Sequence, residues 1–347
     1  ANYYEGPLWH GHEMLFGFSA AVIAGFLLTA VRNWTNIDTP HGTPLMLLSL
    51  LWLAGRVLPF FPGSLPHALI AGVDLAFLPA VGLAVAIPII KARQRHNLQF
   101  IVIISVLTLA NLLIHLQALG YTQTSARTGT QLAVYLIILL IMVIGGRVIP
   151  FFIERALGGA QSTRSQFVEV ACLSTLILFM LAKVAAAPAA MLSVLALATA
   201  LSHGLRLSGW YNPQLWRVPL LWILYLGYGW LVIGFILQAL AEIGLLSASL
   251  AQHAFTTGAI GALTLGMMAR VSLGHTGRAM QSARGINYAF GLVIAAAALR
   301  VLGPLILPSW YSQIITLAGI VWLLAFVIFV IIYAPILLRP RVDGQPG

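Results

Sequence analysis

The sequence predicts an all-α, polytopic integral membrane bundle: a single transmembrane helical domain over residues 1–347, with eleven spans. Three observations predict it. The chain is 60% hydrophobic and 7% charged, against about 25% charged in a soluble domain. Runs of about 20 apolar residues, long enough to cross the hydrocarbon core as helix, recur along it, and none alternates residue by residue as a barrel strand would. The basic residues also collect at alternate span ends, as they do when the cytoplasmic side holds the positive charge.

The apolar runs cover 12–32, 43–60, 66–90, 98–119, 130–152, 166–187, 188–207, 217–241, 248–270, 285–304 and 309–338. Gaps between them are short, so no soluble domain is inserted. Taking the His12 end as outer, the outer side holds only Arg56, Arg127, Lys183 and Arg300, and the inner side holds the other fourteen of the 18 basic residues. The net charge of +10 is therefore a record of topology, and no basic groove interleaved with aromatics marks a nucleic-acid partner. The chain starts without methionine, and eleven spans leave its N-terminus outside. We expect one further upstream span, making twelve. The expected setting is the lipid bilayer of a bacterial inner (plasma) membrane, with the His12 end periplasmic and the C-terminus cytoplasmic.

The first span opens on Trp9-His10-Gly11-His12-Glu13-Met14-Leu15-Phe16-Gly17. Ionisable groups at the mouth of an apolar span are costly, so they read as a functional site. Small residues follow His12 at Gly17, Ala21 and Gly25, and follow His253 at the same offsets, at Gly258, Ala262 and Gly266. Such a stripe lets a neighbouring helix pack closely. At about 100° per residue the histidine faces the other way. Two helices, each presenting an imidazole over a mostly apolar wall, suit a flat cofactor held by two ligands. With Cys172 as the single cysteine, no Cys-x-x-Cys-His attachment exists, so a haem would be held by side-chain ligands alone.

The second span closes on Gly55-Arg56-Val57-Leu58-Pro59-Phe60-Phe61, and the fifth on Gly146-Arg147-Val148-Ile149-Pro150-Phe151-Phe152. In both, proline is expected to end the helix. Arg147 follows the positive-inside trend. Arg56 stands on the charge-poor side at the depth of the histidines, where it would either snorkel or pair a haem propionate. His67 begins the third span, with Asp74 deeper as a possible proton carrier. His115 shares a helix face with Asn111 at i, i+4. For His67 and His115 a hydrogen-bonded structural role stands beside a ligand role. His41, His96 and His275 fall in basic inner loops and read as solvated. Glu169 and Glu242 read as interfacial, and Tyr225, Tyr228 and Trp230 as an aromatic packing patch. The basic loop through Gly274-His275-Thr276-Gly277-Arg278 fits neither a P-loop nor a dinucleotide fingerprint.

The opening motif, with Ala24-Gly25-Phe26-Leu27-Leu28-Thr29-Ala30 and Asn33-Trp34-Thr35, resembles the signature of the NnrS family. So do Gly145-Gly146-Arg147-Val148-Ile149-Pro150-Phe151-Phe152 and Ala269-Arg270-Val271-Ser272-Leu273-Gly274-His275-Thr276-Gly277-Arg278. The resemblance runs over the whole chain in matching order. It implies twelve helices in a bacterial inner membrane, bound haem and copper, and a role in tolerating nitric oxide and nitrosative stress. A histidine expected near Tyr225 is missing here. Counting the upstream helix, the His12 and His253 segments become helices two and ten, similar to the haem-ligating pair of haem-copper oxidases; this is analogy of fold alone.

These readings combine into one expectation. His12 and His253 ligate the iron of haem b, Arg56 serves a propionate, and His10 and His115 are candidates for copper or a second haem. The bound small molecule is nitric oxide or a relative. Whether the protein is an enzyme, and which electron donor serves it, is not written in the sequence. The competing readings are a secondary transporter or channel using intramembrane histidines and acids, and a structural subunit of a respiratory complex.

Overall fold

A computed structural model of the chain describes residues 3–4, 6–159 and 161–344. Among these, eleven helices are long and apolar enough to cross a membrane: α1 Gly6–Thr35, α2 Thr43–Phe60, α3 His67–Lys91, α4 Arg95–Ala118, α5 Ser125–Ala156, α6 Gln166–Val184, α7 Ala189–Ser208, α8 Pro219–Glu242, α9 Ala248–His275, α10 Ile286–Ile306 and α11 Pro308–Leu337. The described residues contain no strand. Each helix coincides with one predicted apolar run. Their ends differ because helix continues past the apolar stretch wherever the interfacial residues can hold it. Thus α1 begins at Gly6, with Pro7 in its first turn where no amide donor is needed.

The helices group into two compact units, Ala1–Leu140 and Ile141–Gly347. In the first, α3 packs on α1, α2 and α4. In the second, α6, α7, α8 and α9 pack in succession, and α10 lies along α11.

Two helices are interrupted in the same way. Directly after His12 the chain widens into a π-helical stretch, Glu13–Ser19; directly after His253 it does so again over Ala254–Ile260. Such insertions recur at functional sites because they re-aim side chains and loosen the carbonyl ladder. In α1 the loosened carbonyls find side-chain donors. Ser19 Oγ donates to the Met14 carbonyl at 2.7 Å, and Trp52 Nε1 of α2 donates to the Gly17 carbonyl at 3.0 Å.

The small-residue stripe of α9 packs as predicted. A methyl placed on Gly258 would strike the Trp230 ring at 2.6 Å, and one on Gly266 would meet Ile223 at 2.9 Å, both on α8. In α1 the first and last positions differ, and α2 meets α1 along the π-helical stretch. Gly17 lies against Arg56, whereas Gly25 faces open space. Pro59 ends regular helix as expected, with a tight turn over Leu58–Phe60. Pro150 does not, and α5 runs through it to Ala156.

Candidate metal centre

In the first unit five segments bring polar side chains to one buried place. The start of α1 supplies His12 and Glu13, α2 supplies Arg56, α3 supplies Asp74, and α4 supplies Asn111 and His115. Tyr3 and Tyr4 close it from the N-terminal side. His12 and His115 are 0% exposed and Asp74 3%. A buried carboxylate needs several partners, and Asp74 has them. Its Oδ2 accepts from Asn111 Nδ2 at 2.8 Å and lies 2.9 Å from His115 Nε2 and 3.2 Å from His12 Nε2. Its Oδ1 is ion-paired to Arg56 Nη2.

Arg56 also donates from Nη1 to Glu13 Oε1 at 2.7 Å. The structure thus gives Arg56 two carboxylates of its own chain. Gly55 makes this possible: a Cβ there would stand 2.9 Å from Asp74 Oδ1. With neutral imidazoles the three charged groups sum to one negative charge, which favours a cation.

The second nitrogen of each imidazole is also engaged. His12 Nδ1 lies 3.3 Å from Glu13 Oε1, and His115 Nδ1 lies 3.2 Å from Tyr3 Oη. Without an ion each Nε2–H donates to Asp74 Oδ2; with an ion between them both rings would carry their proton on Nδ1, donate outward and turn their Nε2 lone pairs to the ion. Metal-binding histidines are held in this manner, with the far ring nitrogen on an oxygen acceptor. His12, Asp74 and His115 are, among the described residues, the cluster of histidine, cysteine and acid side chains close enough to share an ion, with ligand atoms within 4.8 Å of one another. Tyr3 and Tyr4 lie outside the spans, and burial pushes the Tyr3 phenol up to about 12 and that of Tyr4 well above its ordinary value. Without a cation both therefore stay protonated.

Beneath the centre the wall is apolar. Phe16 stacks on His12 with ring centroids 5.3 Å apart. A cavity of about 10 Å³ follows, lined by Leu15, Phe16, Ala20, Ile23, Leu78, Val81, Ile104, Leu107 and Ile137.

The remaining predicted residues lie elsewhere. His10 is exposed, and exposed His67 meets the edge of Tyr3, at 5.4 Å between centroids. His41, His96 and His275 are exposed, as expected. His253 belongs to the second unit. Its Nδ1–H donates to the Ser249 carbonyl at 2.7 Å, and Arg300 Nη2 donates to its Nε2 at 3.1 Å. Arg300 Nη1 is buried without a hydrogen-bond partner.

Sequence reasoning missed a second buried cluster, in which His203, Arg206 and Tyr228 meet Glu169. Arg206 Nε donates to Glu169 Oε1 at 2.8 Å, and Nη2 pairs with Oε2. Arg206 Nη1 donates to the Met142 carbonyl at 2.9 Å and to Tyr228 Oη at 3.0 Å. Tyr228 Oη lies 2.7 Å from His203 Nδ1. The available signal was the i, i+3 spacing of His203 and Arg206 on one helix face. The positive-inside trend alone accounts for Arg206, so its charge carries no further signal.

Two comparisons bear on this arrangement. The family described as NnrS protein matches residues 2–341, nearly the whole chain. No curated protein matches it.

Proposed function

Because the chain belongs to the NnrS family, we propose that it is a multi-pass inner-membrane metalloprotein of nitric oxide handling, with its metal on His12, Asp74 and His115. Membership supports a membrane protein associated with nitric oxide stress. The observation that carries the finer reading is the convergence of two buried imidazole Nε2 atoms on one carboxylate oxygen, with both Nδ1 atoms held from behind. Two imidazoles and a carboxylate suit copper or iron.

When bound, such a metal supplies a coordination site and a redox couple for nitric oxide. The chain's own residues do the rest. Glu13 and Tyr3 orient the imidazoles, Arg56 balances the carboxylates, and Asn111 steadies Asp74. The cavity below Phe16 is near the size of one small molecule, and its apolar lining favours a diatomic gas over an ion.

This reading separates the two histidines that the sequence paired on one haem. His12 Nε2 is already within 3.2 Å of Asp74, Asn111 and Tyr4, which suits a single ion better than a porphyrin plane. His253 stays a haem candidate, and to ligate iron its Nε2 would give up the hydrogen bond from Arg300 Nη2. Its Nδ1–H is fixed on a carbonyl, and the buried, unpartnered Nη1 of Arg300 beside it is suited to a propionate.

Elemental analysis of the purified protein tests the proposal. Wild type should carry copper or iron beyond any haem iron, and His12→Ala and His115→Ala should each lose most of it while His253→Ala keeps it. Full non-haem metal in both of the first two variants would end the assignment.

A further inference from the structure

The geometry points to Tyr4 as a fourth ligand of the proposed metal centre, closing it as a two-histidine, one-aspartate, one-tyrosinate site. The inference rests on the reading of His12, Asp74 and His115 given above. It begins from the spacing a metal would require. Four donors each about 2.0–2.1 Å from a tetrahedral ion stand roughly 3.3 Å from one another.

Four of the six donor–donor separations in such a site fall close to that value. Asp74 Oδ2 lies 3.2 Å from His12 Nε2 and 2.9 Å from His115 Nε2. Tyr4 Oη lies 3.0 Å from His12 Nε2 and 3.4 Å from His115 Nε2. The hydroxyl therefore faces the same two nitrogens as the carboxylate.

The neighbouring polar groups are less suited to the position. Asn111 Oδ1 is also 3.0 Å from His12 Nε2, but its Nδ2 is spent on Asp74. A neutral amide oxygen is, moreover, a weaker donor to copper or iron(III) than a phenolate. Tyr3 Oη addresses His115 through Nδ1, the nitrogen that faces away from the centre. Glu13 is engaged by Arg56.

Tyr4 is also held in place. The Tyr3 amide donates to the Pro59 carbonyl at 2.9 Å, tying the segment to the end of α2. The Tyr4 ring stacks on His12 with centroids 4.4 Å apart.

Charge supports the same assignment. Glu13, Asp74 and Arg56 sum to one negative charge, and a tyrosinate makes it two, matching a divalent cation. On ligation the phenol O–H bond breaks, the Oη–metal bond forms, and one proton leaves to solvent; no electron moves. A site closed in this way has four protein donors, so nitric oxide would bind the metal as a fifth ligand.

The test uses full-length protein in detergent, stripped and reloaded with copper(II). A phenolate-to-copper charge-transfer band should appear in the difference spectrum between wild type and Tyr4→Phe. Resonance Raman excitation within that band should show phenolate ring modes that Tyr4→Phe lacks and Tyr3→Phe retains. Tyr4→Phe should still bind copper, with affinity lower by at least about 10-fold, the scale of losing a partner near a metal. A band unchanged in Tyr4→Phe, or no band in copper-loaded wild type, would overturn the assignment of Tyr4 alone. Copper retained in both His12→Ala and His115→Ala would overturn the underlying centre instead.

Discussion

The heptapeptide that occurs twice in this chain serves two different interiors. In both copies the glycine is bare so that a charged group from another helix can come against its backbone. At Gly55 that group is the carboxylate of Asp74, and at Gly146 it is the guanidinium of Arg206. The arginines that follow take opposite courses. Arg56 turns inward to Glu13 and Asp74, and Arg147 is exposed.

The two interiors differ in what they leave available. Around Asp74 a carboxylate gathers two imidazole Nε2 atoms, which is a donor-rich, net negative place. Around Arg206 the guanidinium meets Glu169, a carbonyl and a phenol, and the buried Nε2 of His203 is without a hydrogen-bond partner. The shared motif is thus a packing device. Chemistry enters with the residue the glycine admits.

The largest effect should separate the two arginines. Arg56→Ala leaves Asp74 buried beside Glu13 without the shared cation, a loss of about 3–5 kcal/mol for breaking a buried pair from one side. Arg147→Ala should stay within about 0.5 kcal/mol, as an exposed substitution does. Thermal unfolding of the two variants in the same detergent measures the gap, and equal losses would break the comparison.

A smaller effect should unite the two glycines. Gly55→Ala and Gly146→Ala should each cost about 1–3 kcal/mol by overpacking. Only Gly55→Ala should also lower metal content. If Gly146→Ala unfolds at the wild-type temperature, Arg206 does not need that bare backbone.

Much of this is legible in the sequence. The spans are, since a run of about 20 apolar residues has few other uses. So is the His12 mouth, because ionisable groups there demand a reason. Arg56, Asp74 and His115 were each singled out, yet their meeting was not readable. Helical periodicity says which face a residue occupies but not which helix faces it. Tyr3 and Tyr4 lie ahead of the first apolar run, where span-finding does not look. The π-helical stretches after His12 and His253 leave no mark in hydropathy. The burial of Arg206 is not legible, because the positive-inside trend places an arginine there in any case. Its 6% exposure depends on Glu169, which an interfacial reading had likewise set aside.

On the proposed reading the Asp74 cluster holds a metal and the Arg206 cluster does not. The most direct measurement is the metal-to-protein ratio of two double variants purified side by side, His12→Ala/His115→Ala and His203→Ala/Tyr228→Phe. Non-haem metal should be near zero in the first and at the wild-type ratio in the second. Metal kept in the first and lost from the second would contradict it.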